Sequence, residues 1–167
     1  KLKKVDALIL KANILKNISH YEEAERCLKE ADKITKKLKY IIGKGLILTT
    51  KGFIDYRQGK YKEGIKNCKT AIKILEKENF KRGIAKANTN LSAVYFGTAE
   101  YEKAITYSFI AYDIYSTLGD ELNAVIPYFN IAAAYISSEK TEQGLLMIDE
   151  GLKRANLIAN KEIEANF

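Results

Sequence analysis

Proline, tryptophan and histidine are scarce in this chain of 167 residues, which has one proline, no tryptophan and one histidine. A single proline argues against a turn-rich all-β fold and favours long helices. No apolar run approaches the roughly 18 residues of a membrane-spanning helix. The lone His20 cannot assemble a catalytic triad or a histidine-rich metal site. We therefore predict no catalytic, metal or cofactor site and do not expect an enzyme.

Cysteine is also rare, and Cys27 and Cys68 are too far apart in sequence for a metal knuckle or a disulfide framework. We expect them to be buried thiols in a reducing compartment, which favours a cytoplasmic location. The chain does have 47% hydrophobic and 29% charged residues, with many Lys, Leu, Ile, Ala and Glu. This composition predicts a folded, helical chain of one domain or one repeat array.

A repeat of forty residues organises the sequence. Its anchor strings are Tyr21-Glu22-Glu23-Ala24, Tyr61-Lys62-Glu63-Gly64, Tyr101-Glu102-Lys103-Ala104 and, more weakly, Thr141-Glu142-Gln143-Gly144. Small residues occupy further columns in the same register, at Ala31, Ala71, Ala111 and Gly151 and at Ala12, Gly52, Ser92 and Ala132. A fixed period of this length is typical of solenoid proteins, and the small columns predict close contacts between helices.

Apolar residues within each repeat recur at steps of three and four, which is helical periodicity. We predict inner helices near residues 4–18, 41–58, 81–98 and 121–138, and outer helices near 21–39, 61–79, 101–118 and 141–159. Gly59 and Gly119 read as helix ends, Asp120 as an N-cap, and Ser19 to Glu22 as a start similar to a capping box. Pro127 should kink its helix or displace the start.

The repeat columns resemble those of the tetratricopeptide repeat (TPR) family. The matched positions are the small inner-helix residues (Ala12, Gly52, Ser92, Ala132), the aromatic three residues later (Tyr95 and Tyr135) and the turn tyrosines (Tyr21, Tyr61, Tyr101). The resemblance implies an all-α fold, a right-handed α-solenoid of helix-turn-helix repeats. It implies a single array over 1–167, with repeats at about 1–40, 41–80, 81–120 and 121–160 and the start of a truncated fifth unit at 161–167.

Two departures from the family pattern concern the period and the proline that usually ends the motif. The proline is replaced by Lys36, Glu76, Ser116 and Asn156. The forty-residue period is longer than usual and is similar to that of kinesin light chains, Leu-Gly-Asn repeat polarity proteins, bacterial peptide-pheromone receptors and repeat-bearing sensor kinases. We therefore expect a piece of a larger, bacterial signalling or regulatory protein.

A stripe of residues on the inner helices is predicted to line a concave groove, because it lies beside the packing columns at helical spacing. Its candidate ligand-binding residues are Asn13, Thr50, Phe53, Tyr56, Arg57, Lys86, Asn90, Phe96 and Asn130. Such amides, cations and aromatics suit an extended peptide, with Arg57 and Lys86 facing an acidic group. The resemblance implies that asparagines in the column of Asn90 and Asn130 clamp a ligand's main chain. Hydrogen bonding to a neighbouring helix or to water is the alternative for the asparagines, a solvated charge at a helix end is the alternative for Arg57 and Lys86, and a place in the core between repeats is the alternative for the aromatics.

The net charge of the chain is +7, and the charge of the repeats decreases along the chain from the N-terminus to the C-terminus. The first two repeats carry +5 each, the third is neutral and residues 121–167 carry −3. Most of the N-terminal lysines recur at helical spacing on outer helices, and only four arginines are present, which disfavours nucleic acid as the partner.

The function predicted from these features is a protein- or peptide-binding module without a membrane span. Two alternatives stay open. One is the peptide-pheromone receptor region of a transcriptional or phosphatase-type regulator. The other is a homo-oligomerisation segment that pairs through an uncapped C-terminal helix.

Overall fold

The computed structural model describes the backbone of residues 1–164 and the side chains of residues 1–157, and eight α-helices form this part of the chain. They are α1 (Leu2–Asn17), α2 (Tyr21–Leu38), α3 (Ile41–Arg57), α4 (Tyr61–Lys77), α5 (Lys81–Gly97), α6 (Tyr101–Thr117), α7 (Glu121–Ser137) and α8 (Thr141–Glu164). The first seven agree with the predicted helices to within two residues. The all-α prediction is confirmed, and the helices form four successive pairs of a TPR-like solenoid.

The helices pack in a regular order. Each odd-numbered helix contacts its own even-numbered partner and also the next odd-numbered helix. No Cα atom of an even-numbered helix lies within 8 Å of the next even-numbered helix in the described part of the chain. Because only the odd-numbered helices contact one another along the array, they form its inner, concave layer, and α2, α4, α6 and α8 form its outer layer.

The columns of small residues are the closest contacts between the two helices of a pair. Ala12, Ala24, Ala104 and Ala132 are fully buried. A Cβ atom placed on Gly52 would lie 2.4 Å from the sulfur of Cys68. In the third pair the Ser92 hydroxyl donates to the Ala104 carbonyl at 2.8 Å. The predicted close approach is therefore confirmed, because only small side chains fit between these helices.

One turn geometry joins all successive helices. A residue with positive φ occurs every twenty positions, at Ser19, Lys39, Gly59, Asn79, Ala99, Gly119 and Glu139. Gly59 and Gly119 end their helices as predicted, and the Asp120 side chain accepts a hydrogen bond from the Asn123 amide at 3.4 Å. The prediction of a start similar to a capping box at Ser19 is wrong. Ser19 adopts the turn conformation, and α2 begins without a side-chain cap.

The ends of the array differ in two ways from the sequence expectations. Helix α7 begins at Glu121 and continues through the buried Pro127, so proline does not displace its start. Helix α8 is described as far as Glu164, beyond the predicted end near 159, and so it extends into the range predicted to open a fifth repeat. Residues 165–167, which complete that range, lie outside the described residues. The boundary of the fifth unit stays a prediction.

The core contains one acidic side chain that the repeat pattern singles out. Asp55 is buried in the column that holds Leu15, Tyr95 and Tyr135 in the other repeats, and Asn67 Nδ2 donates to its carboxylate at 2.6 Å. Burial raises the pKa of Asp55. Burial also raises the pKa of Cys68 to about 12, with a further contribution from the Asp55 charge. Both cysteines are buried free thiols, as predicted.

In the part of the chain that the structure describes, no helix is long and apolar enough to cross a membrane. No cluster of three or more His, Cys, Asp or Glu side chains there could hold a metal ion.

Candidate ligand-binding groove

The predicted stripe belongs to the odd-numbered helices, which bury Thr50 and Asn90 and leave Asn13 and Asn130 partly exposed. We use the name concave groove for ten residues of this stripe. They are Asn13, Lys16, Thr50, Phe53, Tyr56, Arg57, Lys86, Asn90, Phe96 and Asn130. The stripe crosses all four repeats because the same column of each inner helix faces the same direction.

The first pair of polar side chains joins α1 to α3. The Thr50 hydroxyl lies 3.3 Å from Asn13 Oδ1 and 3.1 Å from the carbonyl oxygen of Leu46, and it has one proton to donate. Asn13 Nδ2 donates to the carbonyl of Ile9 at 3.0 Å. Thr50 is fully buried, whereas Asn13 is half-buried. Asn13 is therefore the member of this pair that reaches the groove surface.

The two predicted asparagine clamps lie in different environments. Asn90 is 7% exposed, and its Nδ2 donates to the carbonyl of Thr49 in the preceding inner helix at 2.9 Å. This contact is the neighbouring-helix hydrogen bond that the sequence left open as an alternative. Asn130 is half-buried and makes no side-chain hydrogen bond to another residue of the described chain. Of the two amides, that of Asn130 is the freer to meet a ligand.

The three predicted aromatics are half-buried and contact neighbouring rings. The rings of Phe53 and Tyr56 lie edge to face with centroids 5.9 Å apart. Phe96 packs against Tyr101 with centroids 5.6 Å apart, and Tyr56 approaches Tyr61 at 6.3 Å. Each groove aromatic is therefore supported from behind by another ring and still presents a surface to the groove.

Lys16 is the groove residue that the sequence argument did not select as a site residue. Its side chain is only 8% exposed, and its ammonium nitrogen lies 4.1 Å from the centroid of the Phe53 ring. Its ammonium donates to Asn17 Oδ1 at 2.9 Å. Burial lowers the pKa of Lys16 to about 8, and the charges of Lys86 and Arg57 contribute in the same direction. A ring face and an amide oxygen stabilise this ammonium, but neither neutralises its charge.

Lys86 and Arg57 extend this cationic region. Burial lowers the pKa of the half-buried Lys86, and Arg57 stands exposed at the end of α3. In the described residues, no carboxylate forms an ion pair with Lys16, Arg57 or Lys86; the ion pairs of the chain lie elsewhere. Three cations thus come together on α1, α3 and α5 without an acidic partner.

A signal for Lys16 was present in the sequence. Its column holds Tyr56, Phe96 and Ile136 in the later repeats, so a lysine is the exception in an apolar column. An isolated charge in a column of apolar residues marks a position where burial and charge conflict. Asp55 is likewise the one charged residue in its own column.

The fold and this face define a class, a helical repeat solenoid with a groove along its inner helices. Residues 5–38 match the family model of the Tetratricopeptide repeat. The match covers the first helix pair and supports a TPR repeat protein, a class whose members generally mediate protein–protein interactions and are typically scaffolds without catalytic activity. No curated protein matches the chain.

Proposed function

We propose that this chain is a protein- or peptide-binding module that takes an extended segment of its partner in the concave groove. We further propose that it serves as the sensing or scaffold region of a larger bacterial signalling or regulatory protein. The TPR-like fold supports a protein partner. The specific support for the groove is the unpaired cationic region of Lys16, Arg57 and Lys86.

An acidic side chain or a terminal carboxylate of the partner would supply the charge that this region lacks. Arg57 has a planar guanidinium that can hold a carboxylate through two parallel hydrogen bonds. Asn130 offers a free side-chain amide to a peptide backbone, Asn13 has a second amide proton beyond the one that it donates to Ile9, and Phe53 and Phe96 offer apolar surface to side chains. The groove thus combines the polar and apolar contacts that an extended peptide needs.

Selection of short peptides from a random display library on the immobilised chain tests this proposal. We expect enriched peptides to carry acidic residues and to bind in a fluorescence anisotropy titration. The variant Arg57→Gln/Lys86→Gln should weaken this binding by about tenfold or more, because hydrogen bonds to charged groups contribute about 1.5–3 kcal/mol each.

The matched control is Lys33→Gln/Lys37→Gln, which removes the same charge from the outer helix α2. We expect this control to bind the selected peptides with nearly unchanged affinity. Enrichment of no peptide, or an equal loss in both variants, contradicts the groove as the binding site. Small-angle scattering on the complex adds a further distinction, because compaction by the peptide is expected of a pheromone-receptor region.

Homo-oligomerisation is a second candidate because α8 exposes several large apolar side chains. They are Leu145, Leu146, Leu152 and Leu157, which are exposed by 53%, 70%, 51% and 60%. Sedimentation equilibrium at tens of micromolar tests it. A dimer that the variant Leu146→Lys/Leu152→Lys converts to a monomer supports this function, and a wild-type chain that is strictly monomeric excludes it.

A further inference from the structure

The convex side of the array carries a series of grooves. Successive outer helices do not contact each other in the described chain, so each gap between them has an inner helix as its floor. There are three such gaps, α2 to α4 over α3, α4 to α6 over α5, and α6 to α8 over α7. Because the repeats share one register, each residue beside one gap has an equivalent beside the others, and the three gaps can be compared position by position.

The three grooves differ greatly in size. The groove between α4 and α6 forms a cleft of about 600 Å³ that is open to solvent. A cavity of about 190 Å³ lies against α2 and α3 with no residue of α4 in its lining, and the cavity beside α6, α7 and α8 has no room for a water molecule. We refer to the groove between α4 and α6 as the outer groove. Its lining residues are Lys69, Ile72, Lys73, Glu76, Lys81, Ile84, Asn88, Tyr107, Ile110 and Ile114.

Three columns explain why the outer groove is open and its C-terminal equivalent is closed. These columns hold Ile72, Asn88 and Ile114 in the outer groove and Tyr112, Tyr128 and Arg154 in the closed one. The two tyrosine rings lie 5.3 Å apart, and the Arg154 guanidinium lies 5.7 Å from Tyr112 and 5.4 Å from Tyr128. The closed groove is therefore filled by its own side chains. The outer groove has smaller residues at the same places.

The outer groove also has a distinct chemistry. Ile72, Ile84 and Ile114 line it with apolar surface, and Ile110 is 40% exposed at its edge. Its charged residues are Lys69, Lys73 and Lys81 with the single acid Glu76, and all four are exposed. None of these three lysines forms an ion pair in the described residues. The cavity beside α2 and α3 differs, since Glu25 and Asp32 balance Lys29 and Lys51 there.

We propose that the outer groove docks an acidic amphipathic helix of a partner protein. A helix can lie between α4 and α6 and bury an apolar stripe against the isoleucines, in the way that amphipathic helices occupy grooves. Acidic residues on both sides of that stripe would face the lysines of the rim and give the complex its orientation. A nucleic acid fits less well, because the groove has an isoleucine lining and no arginine, and its one aromatic residue, Tyr107, is half-buried and stacked on Tyr95.

This site is separate from the concave groove. It lies on the opposite side of the inner helices and shares no residue with the proposed peptide site. The failure of one proposal therefore leaves the other intact, and the variants below do not change any residue of the concave groove.

Titration with a designed peptide tests the proposal. The probe is a fluorescein-labelled peptide as long as α4, 17 residues, with leucines at helical spacing flanked by glutamates. A scrambled peptide of the same composition and a peptide with lysine in place of glutamate are the controls. We expect saturable binding of the acidic amphipathic peptide to the whole chain, with much weaker binding of both controls.

Charge reversal on the groove rim locates the binding. The variant Lys69→Glu/Lys73→Glu should weaken binding by about tenfold, because two partly exposed attractive pairs become repulsive. The matched control Lys29→Glu/Lys33→Glu makes the same change in the same columns one repeat earlier. It should leave the affinity within about twofold of the wild type.

A graft tests the shape of the groove independently of its charge. The variant Ile72→Tyr/Asn88→Tyr/Ile114→Arg copies the residues that close the C-terminal groove, and it should abolish binding. Its circular dichroism spectrum should remain helical and its thermal unfolding cooperative. If this variant does not fold, the comparison of Lys69→Glu/Lys73→Glu with Lys29→Glu/Lys33→Glu tests the proposal. Binding of the scrambled peptide as tight as that of the probe, or an equal loss in both rim variants, overturns the proposal. The proposal is also overturned if the acidic peptide shows no saturable binding while duplex DNA or anionic vesicles bind through the same lysines.

Discussion

Replacement of Lys16 by methionine is the most direct test of the cationic region in the concave groove. Methionine has a similar length and flexibility but no charge, so it keeps much of the packing of the lysine stem against the Phe53 ring. Lys16 is 8% exposed as a residue, and its ammonium has no carboxylate partner in the described residues. Removal of its charge should therefore stabilise the fold, although most substitutions of buried residues destabilise.

The lowered pKa of Lys16 gives the size of the expected change in the free energy of unfolding. Burial and the charges of Lys86 and Arg57 lower this pKa from 10.5 to about 8. Each pH unit between two pKa values corresponds to about 1.4 kcal/mol, so the protonated form is disfavoured in the folded chain by roughly 3 kcal/mol. Some packing and the hydrogen bond to Asn17 are lost with the lysine. We expect Lys16→Met to raise the free energy of unfolding by about 2 kcal/mol at neutral pH.

The pH dependence gives this prediction a signature. The pKa in the folded chain is lower than in the unfolded chain, so the unfolded chain binds more protons between pH 8 and 10.5. The contribution of Lys16 to the free energy of unfolding therefore rises with pH in that window. The advantage of the methionine variant should be largest below pH 8 and should shrink towards pH 10.5. Taking the difference between variant and wild type cancels other groups that titrate in this range.

Urea denaturation of both proteins across this pH range measures the difference. A methionine variant less stable than the wild type at neutral pH, or an advantage that does not change with pH, refutes the argument that Lys16 is a dehydrated, uncompensated charge. A peptide from the library selection provides a second readout, because the variant should gain stability and lose affinity for acidic peptides.

Three further predictions concern single positions of the fold. Asp55→Asn should raise the free energy of unfolding at neutral pH, because burial raises the pKa of this carboxyl. The stability of the wild type therefore falls as pH rises from 3.8 through that higher pKa, and denaturation experiments below this range should show no gain for the variant. Ala99→Gly should stabilise and Gly59→Ala should destabilise by about 1 kcal/mol each, since both residues have positive φ in equivalent turns; equal melting temperatures for the three proteins would contradict this. Asn90→Ala should cost about 1–2 kcal/mol because its hydrogen bond to α3 is lost, whereas Asn130→Ala should have little effect on thermal melting.

The repeat register made most of the fold predictable. Small residues at Ala12, Gly52, Ser92 and Ala132 predict where the helices of a pair approach, and the structure places close contacts there. The residue type alone does not predict most of the turns, because the same turn geometry recurs at residues as different as Lys39 and Glu139. The register places all seven turns alike, and tertiary packing overrides the preference for glycine at most of them.

The candidate site could be predicted only in part. The repeat columns predict a binding face on the inner helices, but they do not predict the partner of Asn90, a backbone carbonyl forty-one positions earlier, at Thr49. A main-chain acceptor leaves no mark in the sequence pattern. The protonation behaviour of Lys16 likewise depends on Arg57 and Lys86, which come from two other repeats. Such properties arise from the spatial arrangement of several helices and not from the periodicity of any one of them.

Salt concentration should separate the two proposed sites. Exposed charges such as Lys69 and Lys73 are screened over a Debye length of about 8 Å at physiological ionic strength, whereas a buried ammonium such as Lys16 is screened much less. Affinity for the acidic helical probe should therefore fall steeply as salt is added. Affinity for a groove-selected peptide should fall more gently, and in Lys16→Met the affinity should be lower while the salt slope stays nearly the same, because the more exposed cations that cause most of the salt dependence are unchanged. Equal salt slopes for both ligands would mean that both bind through the same exposed lysines.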